Sequence, residues 1–133
     1  MGSWKDEYKI GVTIIDNQHK QLFDAYDEFL HKLQENKTKE AKEVLIQRLK
    51  QYTLFHFATE ERYMKQISFK GLDIHKNEHI YFIEKINSFE KKFNENKLIL
   101  PLELASFIKE WLVKHILKTD KDYVVEFKKN KID

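Results

Sequence analysis

The chain contains no cysteine, one proline and three glycines among its 133 residues. Without cysteine it has no disulfide, no thiolate metal site and no cysteine nucleophile. No window approaches the roughly 18 consecutive apolar residues of a membrane span, and the N-terminus MGSWKDEYKIGV lacks the apolar run of a signal peptide. These absences favour a cytoplasmic protein that associates with no membrane.

Charge of one sign is also scarce, because 24 basic and 22 acidic residues leave a net charge of +2. A nucleic-acid site would need a broader basic face than the short tail EFKKNKID, so we expect no nucleic-acid partner. With 35% charged residues and few helix breakers, the composition is typical of a helical protein. The length fits a single domain over residues 1–133, with a core that needs no covalent cross-link.

Apolar residues recur at the three-and-four spacing of amphipathic helices. The pattern predicts an N-terminal arm followed by four helices, over about 16–35, 38–65, 72–93 and 101–123. Asp16 and Thr38 are the expected N-caps of the first two, and Pro101 is expected in the first turn of the fourth. Short connections favour an all-α, antiparallel up-down four-helix bundle, and the polar breaks and uneven lengths argue against a coiled coil.

Five of the six histidines and one glutamate fall on the inward stripes of these helices. They are His19, His56, Glu60, His75, His79 and His115. Two pairs have four-residue spacing, which places both members on one helix face. In an antiparallel bundle the starts of helices one and three meet the ends of helices two and four, so we expect all six residues at one end. Asp120 follows His115 by five residues, about 140° of ideal rotation, and needs a local distortion to join them.

Each member of this set has a plainer explanation when it is taken alone. A lone inward histidine is more often a satisfied core residue than a ligand. The stretch HFATE could be a buried hydrogen-bonded couple, and HKNEH could be solvated. Neutral imidazoles, however, cannot satisfy one another's acceptors without a donor or a cation, so five of them at one place indicate a metal centre. Five histidines and two carboxylates exceed what one ion can bind. Two octahedral ions bridged by both carboxylates and an oxygen would keep a single open position, which suits one small ligand.

The ordered ligand pattern resembles the signature of the hemerythrin family. The residues that carry the resemblance are His19, His56-x3-Glu60, His75-x3-His79 and His115-x4-Asp120. The lead-in from Trp4 through GV to IDNQH is similar to the bacterial branch. The resemblance covers essentially the whole chain. It implies a four-helix bundle that binds O2 reversibly at a non-haem centre of two iron ions per chain, bridged by oxide or hydroxide.

Carried over by position, the resemblance also implies a role for each residue of the pattern. Three histidines would hold one iron, two would hold the iron with the open position, and two carboxylates would bridge. The three histidines of the first iron would be His75, His79 and His115, and the iron with the open position would be held by His19 and His56. The bridging carboxylates would be Glu60 and Asp120.

The residues beside this set have roles of their own in the prediction. Trp111, Leu112 and Ile116 flank His115 and are candidates for an apolar wall beside bound O2, with ordinary core packing as an equal alternative. Glu61 is a flanking residue, and changing it is expected to reduce iron retention less than removing Glu60 or Asp120. His31 lies about 120° away from the ligand face of its helix and is expected outside the site.

The resemblance favours an O2-binding protein for storage, delivery or sensing, with which a weak oxidase or peroxidase side activity is compatible. The alternative is a di-iron oxidoreductase acting on O2, peroxide or nitric oxide. Bundles that activate oxygen often use carboxylate-rich ligand sets with Glu-x-x-His pairs, whereas this set is histidine-rich with four-residue spacing. Iron storage is a third hypothesis, which a closed seven-ligand site does not favour. The sequence leaves the oligomeric state open, with a monomer favoured.

Overall fold

The computed structural model describes residues 4–116 and 123–130, and these are mostly helical. Within them, a 3₁₀ turn at Asp6–Tyr8 precedes six α-helices: α1 (Thr13–Gln34), α2 (Thr38–Tyr52), α3 (Ala58–Gln66), α4 (Leu72–Asn94), α5 (Pro101–Trp111) and α6 (Val124–Lys129). A π-helical turn at Thr53–Phe57 joins α2 to α3, and a second at Leu112–Ile116 extends α5. The predicted all-α four-helix bundle is confirmed: its helices are α1, α2 with α3, α4, and α5.

Two groups of buried side chains form the core. The larger group contains the apolar stripes of α1, α2, α4 and α5. The smaller group lies around Met64, Tyr123 and Phe127, and the N-terminal arm packs on it. The buried histidines contact both groups, because Phe57 of the larger group stacks on one imidazole and Tyr123 of the smaller group packs beside another. The polar cluster described below therefore lies where the two groups meet.

Asp16 is not the N-cap that the sequence predicted. The first helix begins earlier, at Thr13, so Asp16 lies in its first turn and is buried. Its carboxylate accepts hydrogen bonds from the backbone N–H groups of Ile10 (2.8 Å) and Gly11 (3.1 Å). Gly11 has a φ of 89°, a conformation that glycine adopts without steric cost. Through these two hydrogen bonds Asp16 holds the end of the N-terminal arm against the start of α1.

The starts of the other helices are close to the predicted ones. Thr38 is the first residue of α2 rather than its N-cap, which is Lys37. Pro101 begins α5 as predicted, where its missing N–H costs no hydrogen bond. In the part of the chain that the structure describes, no helix combines the length and the apolar character needed to cross a bilayer.

Candidate metal centre

Five histidines and one glutamate form a buried cluster at one end of the bundle. The six residues come from α1, the first π turn, α3, α4 and the second π turn, and α4 contributes two of them. In chain order they are His19, His56, Glu60, His75, His79 and His115. Each exposes 2% or less of its surface. The structure thus brings together six of the seven residues of the predicted ligand set. The seventh, Asp120, lies outside the described residues.

The potential ligand atoms divide into two groups that share one carboxylate. The first group is Glu60, His75, His79 and His115, and the second is His19, His56 and Glu60. Within each group the atoms lie within 4.8 Å of one another. Nε2 of His19 and Nε2 of His56 are 3.2 Å apart. The arrangement has the form of two adjacent cation positions, with Glu60 between them.

Glu60 is fully buried, and its two oxygens have different surroundings. Oε1 lies 2.8 Å from Nε2 of His56, 3.3 Å from Nε2 of His79 and 3.8 Å from Nε2 of His115. Oε2 accepts a hydrogen bond of 2.5 Å from the hydroxyl of Tyr123. Burial by itself raises the pKa of Glu60, but the positive charge that His56 has when it is protonated, and the hydrogen bonds from His115, His56 and His79, hold that pKa well below its usual range. The carboxylate is therefore ionised at neutral pH, as a metal ligand must be.

Both π turns carry a histidine of the cluster. In such a turn the backbone hydrogen bond spans five residues instead of four, and π turns inside α-helices are frequent at functional sites. In the first turn, the hydroxyl of Thr53 donates to the carbonyl of Lys50, and the hydroxyl of Thr59 donates to the carbonyl of Phe55, both at 2.8 Å. The second turn contains His115. It is the kind of local distortion that the five-residue spacing to Asp120 requires.

Among the residues that the structure describes, three histidines have a side-chain partner on the ring nitrogen that faces away from the cluster. Nδ1 of His79 lies 2.7 Å from a carboxylate oxygen of Glu61, and Nδ1 of His115 lies 3.1 Å from one of Glu78. Nδ1 of His56 lies 2.8 Å from the amide oxygen of Gln18. Because these oxygens can only accept, each Nδ1 carries a proton and donates it. In the neutral form of each ring, Nε2 keeps its lone pair and points it into the cluster, which is the tautomer that binds a metal.

Sequence reasoning missed these partners, including Glu61, which the sequence places only beside Glu60. Glu61 accepts a hydrogen bond from the imidazole of His79. Its position beside Glu60 gives no sign of this contact, which crosses from α3 to α4. Tyr123 is the last residue of the predicted fourth helix, and nothing in the sequence indicates that its hydroxyl bonds to Glu60. Gln18 is half-buried and precedes His19 directly, and this adjacency is its one signal in the sequence.

Aromatic rings stack on three of the histidines of the cluster. Phe57 stacks on His79 with ring centroids 3.8 Å apart, and Trp111 stacks on His115 with centroids 4.0 Å apart. Tyr52 stacks on His56, and the indole N–H of Trp111 is 3.5 Å from the hydroxyl of Tyr52. Of the predicted wall residues, Trp111 and Leu112 are buried, and Trp111 lies against His115 of the cluster. The side chain of Ile116 is not among those described.

The donor atoms fit a metal ion. Nε2 of His79 and Oε1 of Glu60 are buried, and neither makes a well-directed hydrogen bond within residues 4–116 and 123–130. Buried polar atoms normally have a partner, and a cation would serve both of these at once. Imidazole nitrogens combined with carboxylate oxygens suit iron among the first-row metals. His31, by contrast, lies on the surface, with its side chain 70% exposed and 3.7 Å from Glu35.

The sequence matches known proteins over most of its length. Residues 10–126 match the family model described as the hemerythrin HHE cation binding domain. A bacteriohemerythrin of Clostridium acetobutylicum is 35% identical over 128 residues, which cover 91% of this chain and 97% of that protein. A bacteriohemerythrin of Pseudomonas aeruginosa is 33% identical over 121 residues (91% and 78%). A myohemerythrin of Riftia pachyptila is 34% identical over 122 residues (90% and 88%). None of these names is that of an enzyme.

Proposed function

The chain belongs to the hemerythrin family, and from this premise we propose that it binds O2 reversibly at a non-haem di-iron centre. The centre contains two iron ions per chain with an oxide or hydroxide bridge. Its ligands are His19, His56, Glu60, His75, His79, His115 and Asp120. The physiological use of O2 binding is storage, delivery or sensing.

One observation carries the proposal: two groups of buried donor atoms share the carboxylate of Glu60. A single ion could not use both groups at once. A carboxylate between two positions can give one oxygen to each ion, and its negative charge offsets part of the repulsion between them. Five histidines make the set richer in nitrogen than the carboxylate-rich sets of many oxygen-activating bundles. This composition favours binding of O2 over its use as an oxidant.

The protein contributes orientation and shielding. When bound, the ferrous pair supplies the two electrons that reversible O2 binding requires. The Nδ1 hydrogen bonds hold the imidazoles with their Nε2 lone pairs inward. The rings of Phe57 and Trp111, together with Leu112 and Ile116, form the apolar wall in this proposal. An apolar wall limits the access of water and protons, and so protects bound O2 from irreversible reduction.

The test begins with metal-free protein that is reconstituted anaerobically with ferrous iron. Metal analysis should give two irons per chain. Exposure to O2 should produce a charge-transfer absorption band, and removal of O2 should abolish that band and restore the starting spectrum. One iron per chain would contradict the di-iron assignment. Irreversible oxidation, or turnover with an added reductant, would favour the oxidoreductase alternative instead.

A further inference from the structure

We propose that the two metal positions differ in affinity. The position formed by His75, His79 and His115 binds its ion more tightly and fills first, and the position formed by His19 and His56 fills second and empties first. The inference rests on the proposed function for the existence of two positions. Its own basis is the different chemistry of the groups that hydrogen-bond to the histidines from outside.

Carboxylates support the three-histidine position. Glu61 accepts from Nδ1 of His79 at 2.7 Å, and Glu78 accepts from Nδ1 of His115 at 3.1 Å. Both glutamates are only about one-third exposed, at 31% and 33%. A carboxylate behind an imidazole raises the basicity of the opposite nitrogen and strengthens its bond to a metal. Two such partners also add two negative charges near this position.

A neutral amide supports the two-histidine position. Oε1 of Gln18 accepts from Nδ1 of His56 at 2.8 Å. Its orientation is determined by a chain of hydrogen bonds, because Nε2 of Gln18 donates to the hydroxyl of Thr59 at 3.0 Å and that hydroxyl donates to the carbonyl of Phe55. Gln18 therefore orients His56 as firmly as the glutamates orient their histidines. It adds no charge, so it does not increase the donor strength of the ring to the same extent.

The bridging carboxylates do not cancel this difference, because Glu60 and, in the proposed function, Asp120 serve both positions. Glu60 belongs to both groups of donor atoms. Within residues 4–116 and 123–130, the remaining contrast is between two carboxylate partners on the three-histidine position and one amide partner on the two-histidine position. Removing one outer partner of a metal-binding histidine costs about 10–100-fold in affinity. We therefore expect the two binding steps to be separated by at least about tenfold.

The experiment is an anaerobic titration of the metal-free protein with Co²⁺ in competition with a chelator of known affinity, followed by visible absorption and metal analysis. Wild-type protein should show two steps of one ion per chain each. Two ligand variants assign the steps. His19→Gln should keep the tight step and lose the weak one, and His79→Gln should weaken the tight step selectively.

The outer partners are then exchanged in both directions. Glu61→Gln and Glu78→Gln should each weaken the tight step by about 10–100-fold and leave the weak step unchanged. Glu84→Gln, an exposed glutamate of α4, is the matched control and should change neither step. Gln18→Glu should strengthen the weak step. Gln21→Glu adds the same charge in the same cavity beside His56 without replacing the hydrogen-bond partner, and should have a smaller effect.

Distinct results would overturn the inference and the proposed function. Two equal steps in the wild type, or equal effects of Glu61→Gln on both steps, would overturn the inference and leave a di-metal centre in place. Uptake of a single ion would overturn the proposed function as well. Because a Glu→Gln variant could lose affinity through misfolding, Gln18→Glu provides a gain of affinity that misfolding cannot produce. Its absence, with far-UV circular dichroism unchanged, would also contradict the inference.

Discussion

Replacing Tyr123 by phenylalanine removes one hydroxyl group and leaves the ring in place. The side chains of Tyr123 and Glu60 are both fully buried, and the hydroxyl donates to Oε2 of Glu60 at 2.5 Å. The ring of Tyr123 stacks on Phe127 with centroids 4.2 Å apart, a contact that phenylalanine retains. The substitution therefore tests the hydrogen bond with little change in packing.

The expected loss of stability follows from the charge and burial of the acceptor. The lowered pKa of Glu60 keeps its carboxylate ionised at neutral pH. A hydrogen bond to a charged group contributes about 1.5–3 kcal/mol. Because Glu60 has no exposed surface, water cannot replace the lost donor without a rearrangement. We expect the free energy of unfolding of the metal-free protein to fall by about 2 kcal/mol, a large part of the roughly 5–15 kcal/mol of a typical domain.

The assay is urea denaturation of the metal-free proteins at neutral pH, followed by far-UV circular dichroism and linear extrapolation. Tyr63→Phe is the matched control. Tyr63 contacts Phe127 edge to face, and its hydroxyl makes no hydrogen bond within the described residues. The control should remain within about 0.5 kcal/mol of the wild type. If Tyr123→Phe were as stable as Tyr63→Phe, the reasoning from burial and charge would be refuted.

Three other changes test the ligand assignment and the charge of Glu60. His31→Gln should keep the full iron content and change stability by no more than about 0.5 kcal/mol. His56→Gln should lose iron and the O2-dependent absorption. If the two variants behaved alike, the assignment of ligands from helical phase would be contradicted. Glu60→Gln should retain less iron than the exposed control Glu84→Gln in metal analysis after dialysis, because it serves both positions. The stabilisation of the metal-free wild type over Glu60→Gln should persist above about pH 4.3, the pKa of an unfolded glutamate, and be lost as the pH falls through the lower folded pKa. Between these two pKa values the native state binds fewer protons than the unfolded state. Urea denaturation at neutral and acid pH should therefore show the difference in free energy of unfolding between wild type and Glu60→Gln becoming smaller as the pH falls. A difference that does not change with pH would contradict the lowered pKa.

The helical phase of the histidines could be predicted from the sequence alone. A residue's face on an α-helix depends on its position in the chain, at 100° per residue, and not on what the helix packs against. This is why five histidines and Glu60 could be assigned to inward stripes, and why His31 could be assigned to the surface. Bundle topology then followed from short connections, and it brought the stripes together at one end.

Contacts between helices were decided only by the tertiary structure. Glu61 and Glu60 are neighbours about 100° apart on α3, and the sequence distinguishes them by their stripe alone. Glu61 reaches Nδ1 of His79 because α3 and α4 pack at a particular distance and rotation. The same holds for the bond from Tyr123 to Glu60, which joins residues 63 positions apart.

The backbone itself also departs from what the side-chain pattern could predict. Apolar periodicity indicated continuous helices, whereas two π turns carry His56 and His115 into the cluster. A wide turn gives up regular helical hydrogen bonds, and the gain comes from how its side chains pack against other helices. The sequence by itself determined which residues face inward, since that is a local property of the helix. Only the tertiary structure decided which nitrogen of His56, His79 and His115 faces the cluster and which group binds the other nitrogen, because those choices depend on groups from separate helices.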